Sequence, residues 1–257
     1  MSEIRHTPVA RTMVQVLPPG GGIDAHRHDE NQIVYAGRGV LSITTDSGTW
    51  IAPETQALWV PAGTVHEHRA YGETELNTIG LPARDNPLGL HTPAVLAVKP
   101  LLRELIRAYT EGGSATEPHD PARDDPERRR LRAVLIDQLR HAPRQPVRLP
   151  SARDPRLCAV CTLLADDLTD DRTLAALGTQ VGAGERTLSR LFRSELGMSF
   201  PQWRTQLRLH RALILLAENT PVTTVAHRCG WSSASAFIDV FRTTFGYTPG
   251  TLLRPVT

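Results

Sequence analysis

The chain has 257 residues, of which 40% are hydrophobic and 22% are charged, with three cysteines and a formal net charge of +2 at pH 7. This composition indicates a soluble globular protein of one large or two ordinary domains without a disulfide framework. No apolar run approaches the ~18 residues of a membrane span, and the N-terminus lacks the apolar segment of a secretion signal, so we expect a cytoplasmic protein without a membrane partner.

Residues 10–82 are predicted to form short strands, because turn sequences such as "PPGGG", "AGRG", "TDSG" and "PAG" separate short apolar runs. The predicted strands are Val14–Leu17, Gln32–Tyr35, Val40–Thr44, Leu58–Val60 and Glu75–Ile79. Many short strands at close spacing favour a small β-sandwich or β-barrel.

Two histidine-containing segments in this region resemble the two motifs of cupin barrels, which are double-stranded β-helices. The matching residues of the first segment are Gly20, His26, His28, Gln32 and Gly39, and those of the second, "PAGTVH", are Pro61, Gly63 and His66. Many metal-binding cupins take two histidines and a glutamate from the first motif and a histidine from the second. Here Gln32 stands where the glutamate is expected, and Ala70 stands where an asparagine often ends the second motif.

These histidines are the candidate effector or metal site. His26 and His28 alternate along a strand, so both can point inward, and Gln32 shares their parity. With His66 they provide three imidazoles that can hold Zn²⁺, Ni²⁺, Fe²⁺ or Mn²⁺, whereas Gln32 is a poor ligand without charge. The alternative is a sugar- or drug-sized pocket lined by the same residues without metal.

Other side chains near this site are given lesser roles. Glu67 and His68 follow His66 and are expected at a strand edge. Three aromatic side chains could form walls of an effector pocket, although core packing is the favoured interpretation for each: Tyr35, Trp50 and Trp59.

Beyond Pro93 the apolar residues repeat at helical spacing, which predicts helices near residues 94–110 and 127–141. The polar sequence between them predicts a mobile loop near residues 111–126, and four prolines in 141–155 predict a linker. The two helices could mediate dimerisation or could cover the barrel. We therefore expect an effector-sensing barrel in residues 1–90, a helical dimerisation or linker region in 91–150, and a separate all-α domain in 151–257.

Residues 174–199 and 222–248 form an internal repeat. Each copy is predicted to contain a short helix, a glycine-containing turn and a second helix with apolar residues at i, i+3 and i+4, which is the helix-turn-helix pattern. One copy alone could be an ordinary helical pair, but two copies in register favour DNA binding. The intervening stretch Phe200–Asn219 predicts a single helix of ~30 Å, close to the ~34 Å between successive major grooves on one face of B-DNA.

The C-terminal part resembles the double helix-turn-helix domain of the AraC/XylS transcription regulators. The stretches "RTLSRLFRSELGMSFPQWRTQLRLHRALILL" and "VAHRCGWSSASAFIDVFRTTFGYTPGTLL" match that family's hallmark sequences. A cupin placed before this domain is the domain order of one AraC subgroup, whose members include regulators of neighbouring transporter or efflux genes. One departure is Gly178, where the family usually has alanine, and this glycine is expected to loosen the first helix by up to ~1 kcal/mol.

The second helix of each repeat is the predicted DNA-reading element, because that helix can enter a major groove. Residues 151–257 carry 12 arginines and 9 acidic side chains, which permits a nucleic-acid partner without requiring one. The predicted base-contacting residues are Arg186, Ser189, Arg190, Ser233, Ser235 and Asp239. The predicted phosphate-contacting residues are Thr187, Arg193, Ser232 and Arg242.

Together these features predict a DNA-binding transcription regulator that responds to a small molecule or a metal in its barrel, and not an enzyme. The resemblance implies a homodimer on an operator, and RNA polymerase as a further partner if the chain is an activator. The alternative is a metal-dependent cupin enzyme with an accessory helical domain. No catalytic residues are assigned, because no general acid–base pair accompanies the histidines in the sequence.

Overall fold

The computed structural model describes residues 4–111, 125–145 and 148–252. The chain divides into two compact units, Met1–Arg148 and Leu149–Thr257. The predicted mobile loop near 111–126 falls mainly on residues outside the described part of the chain. None of the described helices is long and apolar enough to cross a membrane.

The first unit is a β-structure covered by two helices. Its strands are β1 (Arg5–Thr7), β2 (Met13–Leu17), β3 (Gly22–His28), β4 (Asn31–Thr45), β5 (Gly48–Pro53), β6 (Gln56–Val60), β7 (His66–Leu81), β8 (Ala94–Ala97) and β9 (Arg144–Gln145). Its helices are α1 (Pro100–Glu111) and α2 (Pro126–His141). The predicted helix near 94–110 therefore begins only at Pro100, and residues 94–97 form a strand that pairs with β6.

Two long strands organise this unit. Along β4, residues 32–35 pair with β6 and residues 40–45 pair with β5, while β7 runs antiparallel beside both halves. The register shifts between Ala36 and Val40, so the sequence "AGRG", which was predicted to be a turn, is an irregular and bent part of one strand. The strand neighbours follow the order β1-β3-β7-β4-β6-β8-β9, with β2 paired to β7 and β5 to β4. Together with the helical second unit, this architecture confirms the predicted fold class.

Successive residues of the strands enter two different apolar clusters. The interior cluster contains Val34, Leu41, Ile43, Leu58 and Val60 among others. The outer cluster contains alternate strand residues together with the buried faces of α1 and α2, including Ile106 and Leu135. Both helices thus cover the outer face of the sheet, and β8, α1 and α2 belong to the same compact unit as the preceding strands.

The second unit consists almost wholly of helices. Its elements are β10 (Leu149–Pro150), α3 (Pro155–Asp166), α4 (Leu174–Gln180), α5 (Glu185–Leu196), α6 (Phe200–Ala217), α7 (Val222–Arg228), α8 (Ala234–Phe245) and a 3₁₀ helix (Pro249–Thr251). A capping box between Ser199 and Gln202 starts α6, which at 18 residues is ~27 Å long.

The internal repeat is confirmed as two helix pairs in register. Helix α4 starts at 174 and α7 at 222, 48 residues later; α5 starts at 185 and α8 at 234, 49 residues later. The turn glycines Gly182 and Gly230 have φ of 67° and 76°, a left-handed conformation that favours glycine. In each copy the amide after the turn glycine bonds back to the first helix: Ala183 N donates to Gly178 O and Trp231 N donates to Ala226 O, both at 2.9 Å.

The position of Gly178 has a physical reason that the sequence did not reveal. A Cβ placed there would overlap the carbonyl oxygen of Ala183 and lie 3.3 Å from Leu188 Cδ1. Gly178 therefore permits the close approach of helix α4 to the turn, and the expectation that it merely loosens the helix needs this correction.

Candidate metal centre and nucleic-acid interface

Three histidines from two neighbouring strands meet inside the first unit. His26 and His28 lie on β3, and His66 begins β7, directly opposite His26 in the antiparallel pairing. Their exposed fractions are 6%, 1% and 1%. The alternation of side chains along β3 turns both of its histidines to the buried side, as the sequence predicted.

The ring nitrogens of these histidines already lie in an arrangement that suits a metal ion. One ligand atom from each ring lies within 4.8 Å of the others. The Nδ1 atom of each ring lies against a backbone carbonyl oxygen two residues away. The distances are 2.8 Å from His26 to Asp24, 2.6 Å from His28 to Glu30 and 2.9 Å from His66 to Thr64.

These carbonyl contacts determine which nitrogen of each ring is free. A carbonyl only accepts, so each Nδ1 carries the proton and donates, and each Nε2 keeps its lone pair. Metal-binding histidines usually show this arrangement, with the second nitrogen held by a carbonyl or carboxylate. The Nε2 atoms of His28 and His66 are buried and have no hydrogen-bond partner among the described residues.

Burial also keeps these imidazoles in the form that binds metals. It lowers the pKa of His26 and of His28, and it lowers that of His66 to about 3. The lowered values reflect the cost of placing a positive charge in an apolar interior. At neutral pH the three rings are therefore uncharged, which is the protonation state that metal coordination requires.

The donor set fits a divalent transition metal. Zinc–nitrogen bonds of ~2.0–2.1 Å place the nitrogens of a tetrahedral site ~3.4 Å apart, so small ring movements would close the observed triad around an ion. Gln32, on β4 opposite Val60, faces the same interior and is 5% exposed, but its carboxamide brings no charge. The protein would thus supply three neutral nitrogens and leave the remaining coordination positions open.

The structure corrects the expectation for His68. It is 4% exposed and lies on β7 opposite Ile43 of the interior cluster, whereas its neighbour Glu67 is exposed. Its ring centroid lies 5.1 Å from that of His66 and 5.6 Å from that of His26. His68 therefore lies beside the histidine triad and not at a strand edge, and its spacing of two residues from His66 was the available signal.

The three aromatic residues proposed as pocket walls separate into two places. Trp50 belongs to the interior cluster. Tyr35 and Trp59 instead lie in the outer cluster beneath α1 and α2, where Tyr35 Oη donates to Glu54 O at 2.9 Å and Trp59 Nε1 donates to Leu90 O at 3.2 Å. Tyr35 and Trp59 thus lie on the other side of the sheet from the interior cluster that the histidines face.

Helix α5 presents one polar face and one buried face. Leu188, Phe192 and Leu196 are buried in the core of the second unit, and the Phe192 ring lies 5.7 Å from Trp203. The opposite side chains line one open surface depression: Arg186, Thr187, Ser189, Arg190, Arg193 and Ser194. The structure thus brings all of the predicted DNA contacts of the first repeat onto one side of one helix.

Helix α8 is built in the same way but carries fewer positive charges. Phe237, Phe241 and Phe245 are buried, and the predicted DNA contacts Ser232, Ser233, Ser235, Asp239 and Arg242 are exposed. The Ser233 hydroxyl accepts a bond from Ala236 N at 3.1 Å and so caps the helix. Asp239 and Arg242 form an exposed ion pair at 3.4 Å. The positive charge on this face of α8 is therefore partly neutralised, unlike that of the arginines on α5.

Comparison with known proteins gives a match for each unit. Residues 13–79 match the cupin domain family, and residues 177–255 match a helix-turn-helix domain family. The HTH-type transcriptional regulator NimR of Escherichia coli (strain K12) is 31% identical over 235 residues, which cover 90% of this chain and 82% of NimR.

Two further matches each cover less than half of the chain. The HTH-type transcriptional regulator RipA of Corynebacterium glutamicum is 34% identical over 103 residues, 40% of this chain and 30% of RipA. A solved transcriptional regulator with an AraC-type DNA-binding domain, from Chromobacterium violaceum, is 28% identical with a TM-score of 0.37, and the match covers 38% of this chain and 89% of that one.

Proposed function

The chain belongs to the AraC/XylS family of helix-turn-helix transcription regulators, in the group with an N-terminal cupin domain, and we propose that its cupin domain senses a divalent transition metal. Regulators of this type bind DNA operators, so the second unit supplies the output. We propose which ligand the first unit binds and that this binding changes the affinity for DNA.

One observation carries the proposal: three buried histidines bring one ring nitrogen each to within 4.8 Å of the others, while a backbone carbonyl lies against each Nδ1. Histidines in an ordinary core satisfy both nitrogens or stay apart, because unpaired buried polar atoms cost stability. A divalent ion such as Zn²⁺, Ni²⁺, Fe²⁺ or Mn²⁺ would satisfy all three lone pairs at once.

The same geometry favours an ion over a sugar- or drug-sized effector. The ring centroids of the triad lie only 4.3 to 6.0 Å apart, and the rings are almost fully buried. An organic effector of drug size needs a cavity of several hundred Å³, whereas a metal ion needs only the space between the rings. A cupin enzyme is less well supported, since the named relatives are regulators and Gln32 replaces the usual carboxylate.

Elemental analysis tests the metal proposal directly. Protein purified without a histidine tag should contain about one equivalent of a transition metal, and a variant with alanine at His26, His28 and His66 should lose it. A matched control replaces the exposed His91 and His141, which should leave the metal content unchanged. Equal metal content in the wild type and the triple variant would contradict the proposal.

The DNA contacts follow from the exposed faces of α5 and α8. We infer that Arg186, Ser189 and Arg190 read base edges, since arginine pairs with two acceptors of guanine in the major groove. The weaker second reader is assigned Ser233, Ser235 and Asp239. The four remaining predicted contacts are assigned to the phosphate backbone: Thr187, Arg193, Ser232 and Arg242.

Assembly and targets complete the proposal. A homodimer on the operator is expected, and exposed Leu101 of α1 and Val134 of α2 are available to such an interface. The regulated gene is expected to be a neighbouring transporter gene, as the family resemblance implies, with RNA polymerase as a partner if the chain activates it. A regulator that binds operator DNA acts in the cytoplasm, where the DNA is. Light scattering coupled to size exclusion tests the dimer, and a monomer on operator DNA would contradict it.

A further inference from the structure

His68 is a fourth imidazole beside the triad, and the triad geometry gives it no role. Its side chain is almost fully buried, and neither ring nitrogen has a hydrogen-bond partner among the described residues. A neutral imidazole always carries one N–H donor and one acceptor. Burying both without partners costs stability, so a group inside the unit that bonds His68 would recover that loss.

The charge of the proposed site shows which kind of group is missing. A divalent ion held by His26, His28 and His66 would sit in a buried interior with only neutral protein ligands, because Gln32 is a carboxamide. An uncompensated double positive charge in such surroundings is strongly unfavourable. An anion that is not part of these side chains would balance this charge.

We propose that a small anion, such as a carboxylate, binds the metal at an open coordination position and accepts a hydrogen bond from His68. This inference rests on the proposed metal site and extends it by naming the class of the second ligand. His68 is a positioning residue in this arrangement: it selects and holds the anion, and the metal is held by the triad.

The position of His68 fits this role better than direct coordination. Its ring lies within 5.6 Å of two triad rings, measured between centroids, yet its nitrogens do not belong to the group of ligand atoms that lie within 4.8 Å of one another. A ligand of a few atoms bound to the metal would bridge such a gap. The near-complete burial of all four rings requires the anion to be small.

Cobalt substitution provides the test, because the visible absorption of Co²⁺ reports changes in its ligands. Full-length protein loaded with Co²⁺ is titrated with sodium acetate and, as a neutral molecule of the same shape, with acetamide; azide serves as a second anionic probe. The variants are His68→Ala, His68→Gln, which keeps an N–H donor, and His91→Ala as a control with an exposed histidine.

We expect acetate and azide, but not acetamide, to change the wild-type spectrum in a saturable way. The variant H68A should bind one equivalent of Co²⁺ with an unchanged anion-free spectrum, but should bind acetate at least tenfold more weakly. H68Q should recover part of that loss, and H91A should behave as the wild type. Recovery by H68Q also separates a lost hydrogen bond from a misfolded barrel.

Several results would overturn the inference. Cobalt uptake without any anion response, or equal acetate affinity in H68A and the wild type, would overturn the inference alone. A changed anion-free spectrum in H68A would make His68 a metal ligand instead. Failure of the wild type to bind Co²⁺ would overturn the proposed metal site and, with it, this inference.

Discussion

Replacing Gly178 with alanine should destabilise the protein, although alanine is the better helix former and stands at the equivalent position, Ala226, in the second repeat. The added Cβ would overlap the carbonyl oxygen of Ala183, and this oxygen belongs to the backbone and cannot rotate away. The hydrogen bond from Ala183 N to Gly178 O, 2.9 Å long, holds the turn close to the helix, so relief of the clash would weaken that bond.

The magnitude follows from two opposing terms. Alanine in a helix gains up to ~1 kcal/mol over glycine. Forcing a methyl group into a packed contact costs about 1–3 kcal/mol, and a backbone oxygen lies at the upper end of that range. The net loss should be about 1–2 kcal/mol, and for a unit of this size each kcal/mol lowers the Tm by roughly 4–8 °C.

Urea denaturation of the full chain, followed by circular dichroism at a helix-sensitive wavelength, measures this loss. Gly250→Ala is the matched control, because a Cβ there meets no atom within 4 Å and the free energy of unfolding should change by less than about 0.5 kcal/mol. Ala226→Gly should cost about 1 kcal/mol. A G178A variant as stable as the wild type, or more stable, would refute the argument from close approach.

Three further predictions concern DNA binding, packing within the second unit, and the pH dependence of stability. Arg190→Ala should weaken specific operator binding by ~1–3 kcal/mol. Arg193→Ala should weaken binding to all DNA sequences alike and reduce the slope of log affinity against log salt concentration by about one. Equal effects of Arg190→Ala on operator and random DNA would contradict its assignment to base edges. Arg208→Met should lower the free energy of unfolding by ~1.5–3 kcal/mol in urea denaturation. The reason is that the Arg208 guanidinium donates to the Leu168 and Asp170 carbonyls of the α3–α4 loop, at 3.0 and 3.5 Å. The same change at the exposed Arg211 should have little effect. Burial lowers the pKa of the four clustered histidines, that of His66 to about 3, so in this pH range the unfolded chain binds more protons than the folded one. Metal-free protein should therefore lose stability as the pH falls from about 6.5 toward 3. The same pH dependence of stability in the triple-alanine variant would contradict this prediction.

The helical unit was predictable because its signals are periodic and repeated. The apolar spacing placed the two recognition helices and predicted α6 over Phe200–Asn219, against Phe200–Ala217 in the structure. Gly178 could not be explained in this way, because its role depends on a contact between α4 and the following turn. A sequence pattern records which residues repeat but not how closely two elements approach.

The first unit was harder to predict because the first part of β4 is buried on both sides. Ile33 and Tyr35 lie under the helices while Val34 and Ala36 fill the interior, so this part of β4 shows no alternation that would tell one face from the other. This is why the sequence pattern left a pocket wall open for Tyr35 beside the favoured core packing. His68 was missed because β7 was expected to start at Glu75, although it starts at His66 and its first residues alternate between buried and exposed positions.

Footprinting of the intergenic DNA beside the gene, with metal-free and metal-loaded protein at one fixed salt concentration, tests whether metal binding changes operator binding. We predict a protected site whose affinity changes when the wild type is loaded with metal, and no such change in the variant with alanine at His26, His28 and His66. A protected site with the same affinity in every case would contradict metal sensing, and no protected site in that DNA would contradict the proposed operator.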